Sequence, residues 1–588
     1  MSEQPEQSDI LTAPGAPFAV VRAENGSPMY ADGPRTLREF VEATWAYGDR
    51  PFLVAEGGTY TYSRFFAAAT ALANHLHDSY GLRPGDRAVI AMRNHPEWQI
   101  AFWAAQLAGL VAVPLNARWT EDEFGHALDD CAPRVLLVDG ERLLRVARWA
   151  ERREGVRTVV FRLEDGKPGE TGERIERYED LPAPDPAAAP PDVEVRAEDD
   201  ATIIYTSGTT GRPKGAVATQ LAQAGAAMNP RYQAAASALA RGRIPGQGPA
   251  PVTLMTYPFF HVAAFTCLYS AMAVGGTLVL MRKWDAGEAL RLIREHTVTQ
   301  FAGVPTTALQ LLDAAATTSD GDDPLETLTL LSTGGAAPPP ALLTRLTARC
   351  GERVEPRNGY GLTETCGGVL AAFGEEYRRF PGTAGRPTPA TEVRIAGPRG
   401  EPVPDGRSGE LWLRGQSLVR GYWRDEAATV EAFTPDGWFR TGDLATVQDG
   451  RVTVVDRIKE LIVRGGENVS CVEVEGVLHD HPDVLDAAVL GIPHPELGEE
   501  VAAVVRVRPG AATAADELRA HVAARLAAFK VPAHVLVREE PLPRNASGKL
   551  LKRELRAEVL KEVLEAGSEP EAGSEPEAGS ESEAGSES

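Results

Sequence analysis

Short apolar runs alternate with amphipathic runs through the first two thirds of the chain, and this alternation constrains the fold most. The run DRAVIAM (86–92) is typical of a buried strand, and HPEWQIAFWAAQLAG (95–109), which follows it, is typical of a helix. Such alternation builds parallel-rich sheets with helices on their faces, and these sheets bind ligands at the carboxyl ends of their strands. The sequence therefore predicts an α/β fold.

The same pattern continues downstream and then changes. Further strands are predicted at 134–140, 252–258, 275–281, 298–304 and 327–335, and helices at 285–296 and 340–350. From about residue 385 the strands follow one another closely, as TEVRIAG, GELWLRG and RVTVVDR. Closely spaced strands without helices between them indicate a small antiparallel β unit, similar to a barrel, attached to the α/β part.

At 588 residues the chain is too long for one hydrophobic core, so we expect more than one domain. We predict a large domain over 1–456, a small α+β domain over 457–564 and a disordered tail over 565–588, which consists of acidic EAGSEP and EAGSES repeats. In the small domain, Leu518, Val522, Leu526 and Phe529 recur at helical spacing and predict one helix.

Charge and cysteine content narrow the class of protein. Without the eight glutamates of the tail, 75 acidic residues still face 60 basic ones, which argues against a nucleic-acid partner. The five cysteines are scattered and form no CxxC pair, a pattern that suits a reducing cytoplasm and indicates no cysteine metal site. The polar start MSEQPEQSD is not a signal peptide, and 101–115 is too short for a membrane span. We expect a soluble cytoplasmic protein.

The stretch YTSGTTGRPKG (205–215) is rich in glycine, hydroxyl side chains and cations, which predicts a loop and not a helix or strand. It follows an apolar strand, and its amides and hydroxyls suit phosphate oxygens, with Lys214 adding a positive charge. It is not a Walker A loop, because Lys214 is followed by Gly215 and not by serine or threonine. Taken alone, the stretch fits a flexible surface turn equally well.

Five further motifs follow this loop in a fixed order. They are STGGAAP (332–338), NGYGLTET (358–365), GWFRTGDLA (437–445), DRIKELIVRGGENVS (456–470) and PRNASGKLLKREL (543–555). Together with YTSGTTGRPKG, this series resembles the adenylate-forming superfamily of acyl-CoA synthetases, peptide-synthetase adenylation domains and firefly luciferase, over roughly residues 35–560.

The resemblance implies an ATP site. It assigns nucleotide binding to Thr206, Ser207, Gly208, Thr209, Thr210, Gly211, Gly335, Ala336, Ala337, Asn358, Gly359, Tyr360, Gly361, Asp443 and Arg457. Tyr360 would stack on adenine, and Asp443 would accept the ribose hydroxyls. From the residues alone, Asp443 also fits an Asx turn, and Arg457 an ordinary charged linker.

Catalytic roles are implied for Lys549, Thr363, Glu364 and Lys214. Thr363 would bond a phosphate, and Glu364 offers the hard oxygen that Mg²⁺ prefers, although most glutamates are simply solvated. Lys549 would bridge the acid and the α-phosphate, whereas Lys552 and Lys561 are expected to be solvated. Lys459 is the implied hinge between two domain orientations.

The implied reaction joins a carboxylic acid to ATP, giving acyl-AMP and pyrophosphate, and then passes the acyl group to coenzyme A. His261, in TYPFFHVAAFTCLY (256–269), would line the acid pocket, and Gly465, Gly466 and Glu467 would lie on the coenzyme A side. No acidic residue stands near His261 in the sequence, which disfavours an α-amino acid. The pair Phe260–His261 resembles that of fatty and aryl acyl-CoA synthetases, which implies a fatty or aryl acid. Two alternatives remain: an acyl-AMP ligase that loads a separate carrier protein, and a catalytically silent nucleotide-binding protein.

Overall fold

The computed structural model describes residues 7–163, 174–206, 213–317, 323–545 and 549–566. Its contacts divide the chain into two compact units. The large unit holds residues 1–459 together with 544–549, and the small unit holds 460–543 and 550–588. The division falls between Lys459 and Glu460, shortly after the predicted boundary. Most of the predicted tail, 567–588, lies outside the described residues.

Two parallel-rich sheets form the body of the large unit. The first has eight strands among the described residues, in the spatial order Gly421–Tyr422, Lys214–Thr219, Asp200–Thr206, Val111–Pro114, Arg87–Ala91, Val135–Asp139, Arg157–Phe161 and Ile175–Arg177. Its pairs are parallel except at the edge where Lys214–Thr219 joins Asp200–Thr206 and Gly421–Tyr422.

The second sheet has nine described strands and carries two of the sequence motifs. Its order is Arg386–Pro387, Gly367–Phe373, Glu355–Leu362, Leu330–Gly334, Gln300–Gly303, Val252–Met255, Thr277–Leu280, Pro51–Ala55 and Gly58–Thr61. The five central pairs, from Glu355–Leu362 to Pro51–Ala55, are parallel. The α/β fold with parallel-rich sheets is therefore confirmed.

The predicted antiparallel β unit is also present. Thr391–Ala396, Gly409–Gly415, Phe439–Gln448 and Arg451–Arg457 form a four-stranded antiparallel sheet within the described residues. Near the start of the chain, Val20–Arg22 pairs with Pro28–Tyr30.

Helices cover the sheets of the large unit. They are Gln7–Thr12, Leu37–Thr44, Tyr62–Asn74, Pro96–Leu107, Glu121–Cys131, Gly140–Glu151, Gln220–Ala240, Val262–Ala273, Ala286–Glu295, Pro305–Thr317, Pro340–Cys350, Gly374–Arg379 and Glu426–Ala432. All residues of Pro96–Leu107 are buried, including the polar Glu97, Gln99 and Gln106. No helix in the described part of the chain is long and apolar enough to cross a membrane.

The small unit is an α+β fold. Its described strands are Glu467–Val469, Ile462–Arg464, Gly498–Val507, Val484–His494 and His534–Arg538, and its helices are Cys471–His479, Ala515–Ala523 and Lys552–Ala566. The predicted helix through Phe529 is too long, because the helix ends at Ala523 and Phe529 lies in the short 3₁₀ turn Ala528–Lys530. Leu526 and Phe529 still contact the same apolar cluster as Leu518 and Val522, so the periodicity indicated a shared core and not a continuous helix.

Candidate active site

The glycine-rich stretch begins and ends in paired strands. Thr206 is the last residue of Asp200–Thr206 and lies opposite Lys214, the first residue of Lys214–Thr219. The prediction of a loop is therefore wrong for the two ends of the stretch, 205–206 and 214–215, which extend the strands that carry the buried Ile203 and Val217. The five predicted phosphate-binding residues between them, Ser207, Gly208, Thr209, Thr210 and Gly211, lie outside the described residues.

Lys214 lies beside Tyr422, an aromatic residue for which the sequence predicted no role. Its Nζ is 5.4 Å from the centroid of the Tyr422 ring and 4.0 Å from Oδ2 of Asp425. Tyr422 is held there because its strand pairs with the lysine strand, with Tyr422 opposite Ala216. An ammonium above an aromatic ring is a favourable cation–π contact.

The same tyrosine contacts the predicted magnesium ligand. The Tyr422 hydroxyl donates a hydrogen bond of 2.8 Å to Oε1 of Glu364. Burial, followed by the charge of Glu364, raises the pKa of Tyr422 well above its ordinary value, so the hydroxyl keeps its proton and acts as a donor. Tyr422 therefore links Lys214 to Glu364.

A tight turn places Thr363 and Glu364 at the end of a strand. They lie in the 3₁₀ turn Thr363–Thr365, directly after Glu355–Leu362. Gly361 allows the turn to close, because a Cβ there would come 1.9 Å from the carbonyl oxygen of Gly367. The backbone of Glu364 is fixed as well, since its carbonyl accepts from the Val419 amide at 2.9 Å.

Tyr360, Asp443 and Arg457 form a second polar group. The Tyr360 hydroxyl donates to Oδ2 of Asp443 at 2.5 Å, and Nε of Arg457 lies 3.2 Å from Oδ1. The strand register sets this contact, because Asp443 lies opposite Arg457. Asp443 is only 3% exposed, and burial together with its charge raises the pKa of Tyr360 well above the ordinary value.

The remaining predicted nucleotide residues cluster where two parallel strands end. Gly334 lies opposite Gly359, which brings STGGAAP next to NGYG. Gly335 follows the strand with a φ of 82°, and Ala336 and Ala337 after it are exposed. Asn358 differs from the others because it is buried and its Nδ2 donates to the carbonyl oxygen of Thr383 at 3.2 Å.

His261 caps the helix Val262–Ala273, and its Nδ1 accepts from the Ala263 amide at 3.2 Å. Lys549 belongs to the segment Arg544–Lys549, which lies in the large unit although the chain on either side of it lies in the small unit. Burial, with a second contribution from the Lys549 ammonium, lowers the pKa of His261 from 6.5 to about 4. The imidazole is thus neutral at pH 7.

The neutral imidazole makes stability depend on pH in a defined direction. The pKa of His261 is lower in the folded protein than the ordinary 6.5, so its contribution is fully present above pH 6.5 and is lost as the pH falls toward 4. Between pH 7 and pH 4.5, we expect the melting temperature of His261→Asn to fall about 3 °C less than that of the unchanged protein. Differential scanning calorimetry at pH 7 and pH 4.5 measures this difference, and parallel pH profiles would contradict it.

The predicted coenzyme A residues lie in the small unit. Gly465 and Gly466 are the two turn residues between Ile462–Arg464 and Glu467–Val469, with φ angles of 59° and 88°. Positive φ at both positions is the requirement of a two-residue hairpin turn, which glycine meets without strain. Both glycines and Glu467 are exposed. Lys459, the predicted hinge, is the last residue of the large unit before the division.

Lys552 corrects a sequence-based expectation. It was expected to be solvated, but its Nζ lies 2.9 Å from Glu475 and 3.4 Å from Glu460, and its side chain is 21% exposed. These carboxylates raise its pKa above the ordinary value despite the opposing effect of burial. Lys552 is therefore part of the internal structure of the small unit, whereas Lys561 is exposed as expected.

Among the described residues, no group of three or more His, Cys, Asp or Glu side chains is arranged to hold a metal ion. This does not conflict with the role predicted for Glu364, because Mg²⁺ is commonly bound through one or two carboxylates together with substrate phosphates and water. Glu364 accepts the Tyr422 bond through one carboxylate oxygen, as expected for an oriented ligand. The residues present fit a magnesium ion that arrives with a nucleotide.

The comparisons with known proteins all indicate the same family. The family model of the AMP-binding enzyme matches residues 40–423, and that of the AMP-binding enzyme C-terminal domain matches residues 473–549. A feruloyl-CoA synthase of an Amycolatopsis species is 38% identical over 507 residues, which cover 86% of this chain and 95% of that protein. The long-chain-fatty-acid–CoA ligase FadD13 of Mycobacterium tuberculosis is 33% identical, over 84% of this chain and 92% of the ligase.

Solved structures agree with these matches. The o-succinylbenzoate coenzyme A synthetase of Bacillus subtilis, in complex with ATP and a magnesium ion, superposes with a TM-score of 0.71 at 29% identity. The match covers 88% of this chain and 99% of that one. The same synthetase is also known in complex with its acyl-adenylate intermediate.

Proposed function

Because this chain belongs to the AMP-binding enzyme family, as an AMP-forming acid–CoA ligase, we propose that it activates an aryl acid. A fatty acid is the second candidate. The observation that carries the proposal is the neutral imidazole of His261, together with the 38% identity to a feruloyl-CoA synthase. The fatty acid is supported by the likeness to a long-chain-fatty-acid–CoA ligase.

The helix that His261 caps supports the proposed acid pocket. Ala263, Thr266, Cys267 and Ser270 are half-buried, whereas most of the helix is buried. Their spacing places them on one face of the helix. These side chains are small and neutral, and burial raises the pKa of Cys267 to about 12, which keeps the thiol protonated. Such a face accepts an apolar ring or chain and offers no carboxylate to pair with the ammonium of an α-amino acid.

For the nucleotide, the proposal uses the group around Asp443. A carboxylate has about four acceptor positions, so Asp443 can accept ribose hydroxyls in addition to the Tyr360 hydroxyl and the Arg457 guanidinium. Tyr360 and Arg457 would then fix the carboxylate that binds the ribose, and Gly335, Ala336 and Ala337 would line the adenine side.

For the phosphates, the proposal uses Lys214, Thr363 and Glu364. Negative charge grows on the departing pyrophosphate, and a fixed cation such as Lys214 stabilises that charge more than it stabilises bound ATP. When bound through Glu364, Mg²⁺ would supply neutralisation of phosphate charge. Thr363 would donate its hydroxyl to a phosphate oxygen.

Lys549 completes the proposed adenylation site. Its ammonium lies close enough to His261 to lower the pKa of that histidine, and His261 belongs to the proposed acid pocket. An ammonium at this position would orient the acid carboxylate toward the α-phosphate. It would also stabilise the charge that accumulates there as the carboxylate attacks and pyrophosphate leaves.

For the second half-reaction, coenzyme A is the proposed acceptor, with Gly465, Gly466 and Glu467 on its side and Lys459 as the hinge. The exposed glycine turn and the coenzyme A ligases among the relatives support this. We also propose the cytoplasm as the compartment, supported by the scattered cysteines.

Pyrophosphate release and product mass across a panel of acids test the proposed function. The panel contains cinnamic and benzoic acids, fatty acids of several lengths, dicarboxylic acids and α-amino acids, each with ATP, Mg²⁺ and coenzyme A. We expect release with aryl acids to exceed release with α-amino acids by at least about a hundredfold, because a buried, unpaired ammonium costs several kcal/mol. Formation of acyl-AMP without acyl-CoA would favour the carrier-protein alternative, and no release with any acid would favour the silent protein.

A further inference from the structure

We propose that Tyr422 is a positioning residue that separates Lys214 from Glu364, so that the lysine can bind phosphate and the carboxylate can bind Mg²⁺. The proposal rests on the proposed function, which assigns those two roles but gives Tyr422 none. Two parts of the tyrosine contact two opposite charges: the ring lies under the lysine ammonium, and the hydroxyl donates a hydrogen bond to the carboxylate.

Lys214 and Glu364 carry opposite charges and contact the same tyrosine. A direct Lys214–Glu364 ion pair would cover the ammonium and the carboxylate at once, and both would have to be released before MgATP could bind. Tyr422 contacts each group without forming a salt bridge, and the ion partner of Lys214 is Asp425, 4.0 Å away. A cation–π contact and a neutral-donor hydrogen bond give up less free energy than a salt bridge when phosphate and Mg²⁺ replace them.

The surroundings of Tyr422 keep this arrangement in place. Its backbone amide donates to the Thr429 hydroxyl at 2.9 Å, and its strand pairs with the lysine strand. The hydroxyl donates to Oε1 of Glu364 at 2.8 Å, so a neutral donor holds the carboxylate.

A donor on a metal-binding carboxylate affects the metal directly. Groups that orient a ligand from behind typically contribute ten- to a hundredfold to metal affinity. The Tyr422 bond uses Oε1 of Glu364, and fixing one oxygen orients the other. The tyrosine is therefore expected to act on the Mg²⁺ dependence of ATP binding, and a purely structural tyrosine is not.

The test is ATP binding without acid, so that no reaction takes place, measured by titration calorimetry at a series of MgCl₂ concentrations. In Tyr422→Phe the ring under Lys214 remains and the hydroxyl is lost. We expect the MgCl₂ concentration for half-maximal tightening of ATP binding to rise about tenfold, while ATP binding in EDTA stays near that of the unchanged protein. In Tyr422→Leu the ring is lost too, and ATP binding in EDTA should also weaken.

Tyr47→Phe is the matched control. The Tyr47 hydroxyl donates to the Ala273 carbonyl at 2.7 Å, and Arg50 lies 5.5 Å from its ring, so the same two kinds of contact occur away from the site. The control should show an unchanged MgCl₂ requirement. An equal shift in Tyr47→Phe, or no shift in Tyr422→Phe, overturns the proposal.

A double variant excludes a general effect on folding. If Tyr422 acts through Glu364, Tyr422→Phe should add nothing to Glu364→Gln, whereas independent effects would multiply. Multiplying effects overturn the proposal even when both single variants bind ATP poorly. If ATP binding by the unchanged protein does not respond to MgCl₂, the magnesium role of Glu364 in the proposed function is refuted. That outcome can be told apart from a failure of the Tyr422 proposal, which concerns only the shift in the Tyr422 variants.

Discussion

Replacing Lys549 by alanine is expected to lower acid-dependent pyrophosphate release about a thousandfold while acyl-CoA formation from supplied acyl-AMP changes little. The cause is that the lysine is proposed to stabilise charge on the α-phosphate, which develops only in the first half-reaction. Its backbone position should survive, because the Lys549 amide donates to Oδ1 of Asn545 and its carbonyl accepts from the Asn545 amide, each at 2.9 Å. Stopped-time assays of the two half-reactions measure the effect separately.

Lys561→Ala is the control for this variant, since Lys561 is an exposed lysine of Lys552–Ala566, the helix that follows Lys549 in the sequence. It should leave both half-reactions unchanged. Lys549→Arg should recover only part of the loss, because a planar guanidinium cannot occupy the position of a compact ammonium. Equal loss of both half-reactions in Lys549→Ala would show that the role of this lysine has been wrongly assigned.

The α/β architecture was predictable because it depends on local patterns. The alternation of strands and helices survives in the sheets, and the five central parallel pairs of the second sheet follow from it. The resemblance assigned Gly335 and Gly359 to the same nucleotide site, and Gly334 lies opposite Gly359 on the adjacent strand. Features carried by a few neighbouring residues can be read from a single sequence.

Features that depend on distant segments could not be predicted. Tyr422 contacts Glu364 across 58 positions, and only the pairing of Gly421–Tyr422 with the lysine strand brings them together. The burial of Lys552 likewise depends on Glu460 and Glu475 from other elements. The early helix end at Ala523 has the same origin, since Leu526 and Phe529 reach their core from a turn.

Replacing Asp443 by asparagine is expected to weaken ATP binding about a hundredfold, which matches the loss of one or two charge-assisted hydrogen bonds. The amide keeps one acceptor, but its NH₂ group replaces a carboxylate oxygen that accepts from the Tyr360 hydroxyl or the Arg457 guanidinium and would accept from the ribose. Since Asp443 is 3% exposed, water cannot replace the lost acceptor. Titration calorimetry with ATP measures the change.

Asp456→Asn is the control that distinguishes the loss of a ribose contact from the loss of any buried carboxylate in this sheet. Asp456 is 2% exposed and lies opposite Leu444, next to the Asp443–Arg457 pair, but it has no proposed nucleotide contact. It should leave the ATP affinity nearly unchanged. The unchanged protein should also prefer ATP to 2′-deoxy-ATP, and Asp443→Asn should lose most of that preference because the acceptor of the 2′-hydroxyl is gone. A preference that persists in Asp443→Asn would show that another group binds the ribose and that Asp443 serves only to hold Tyr360 and Arg457.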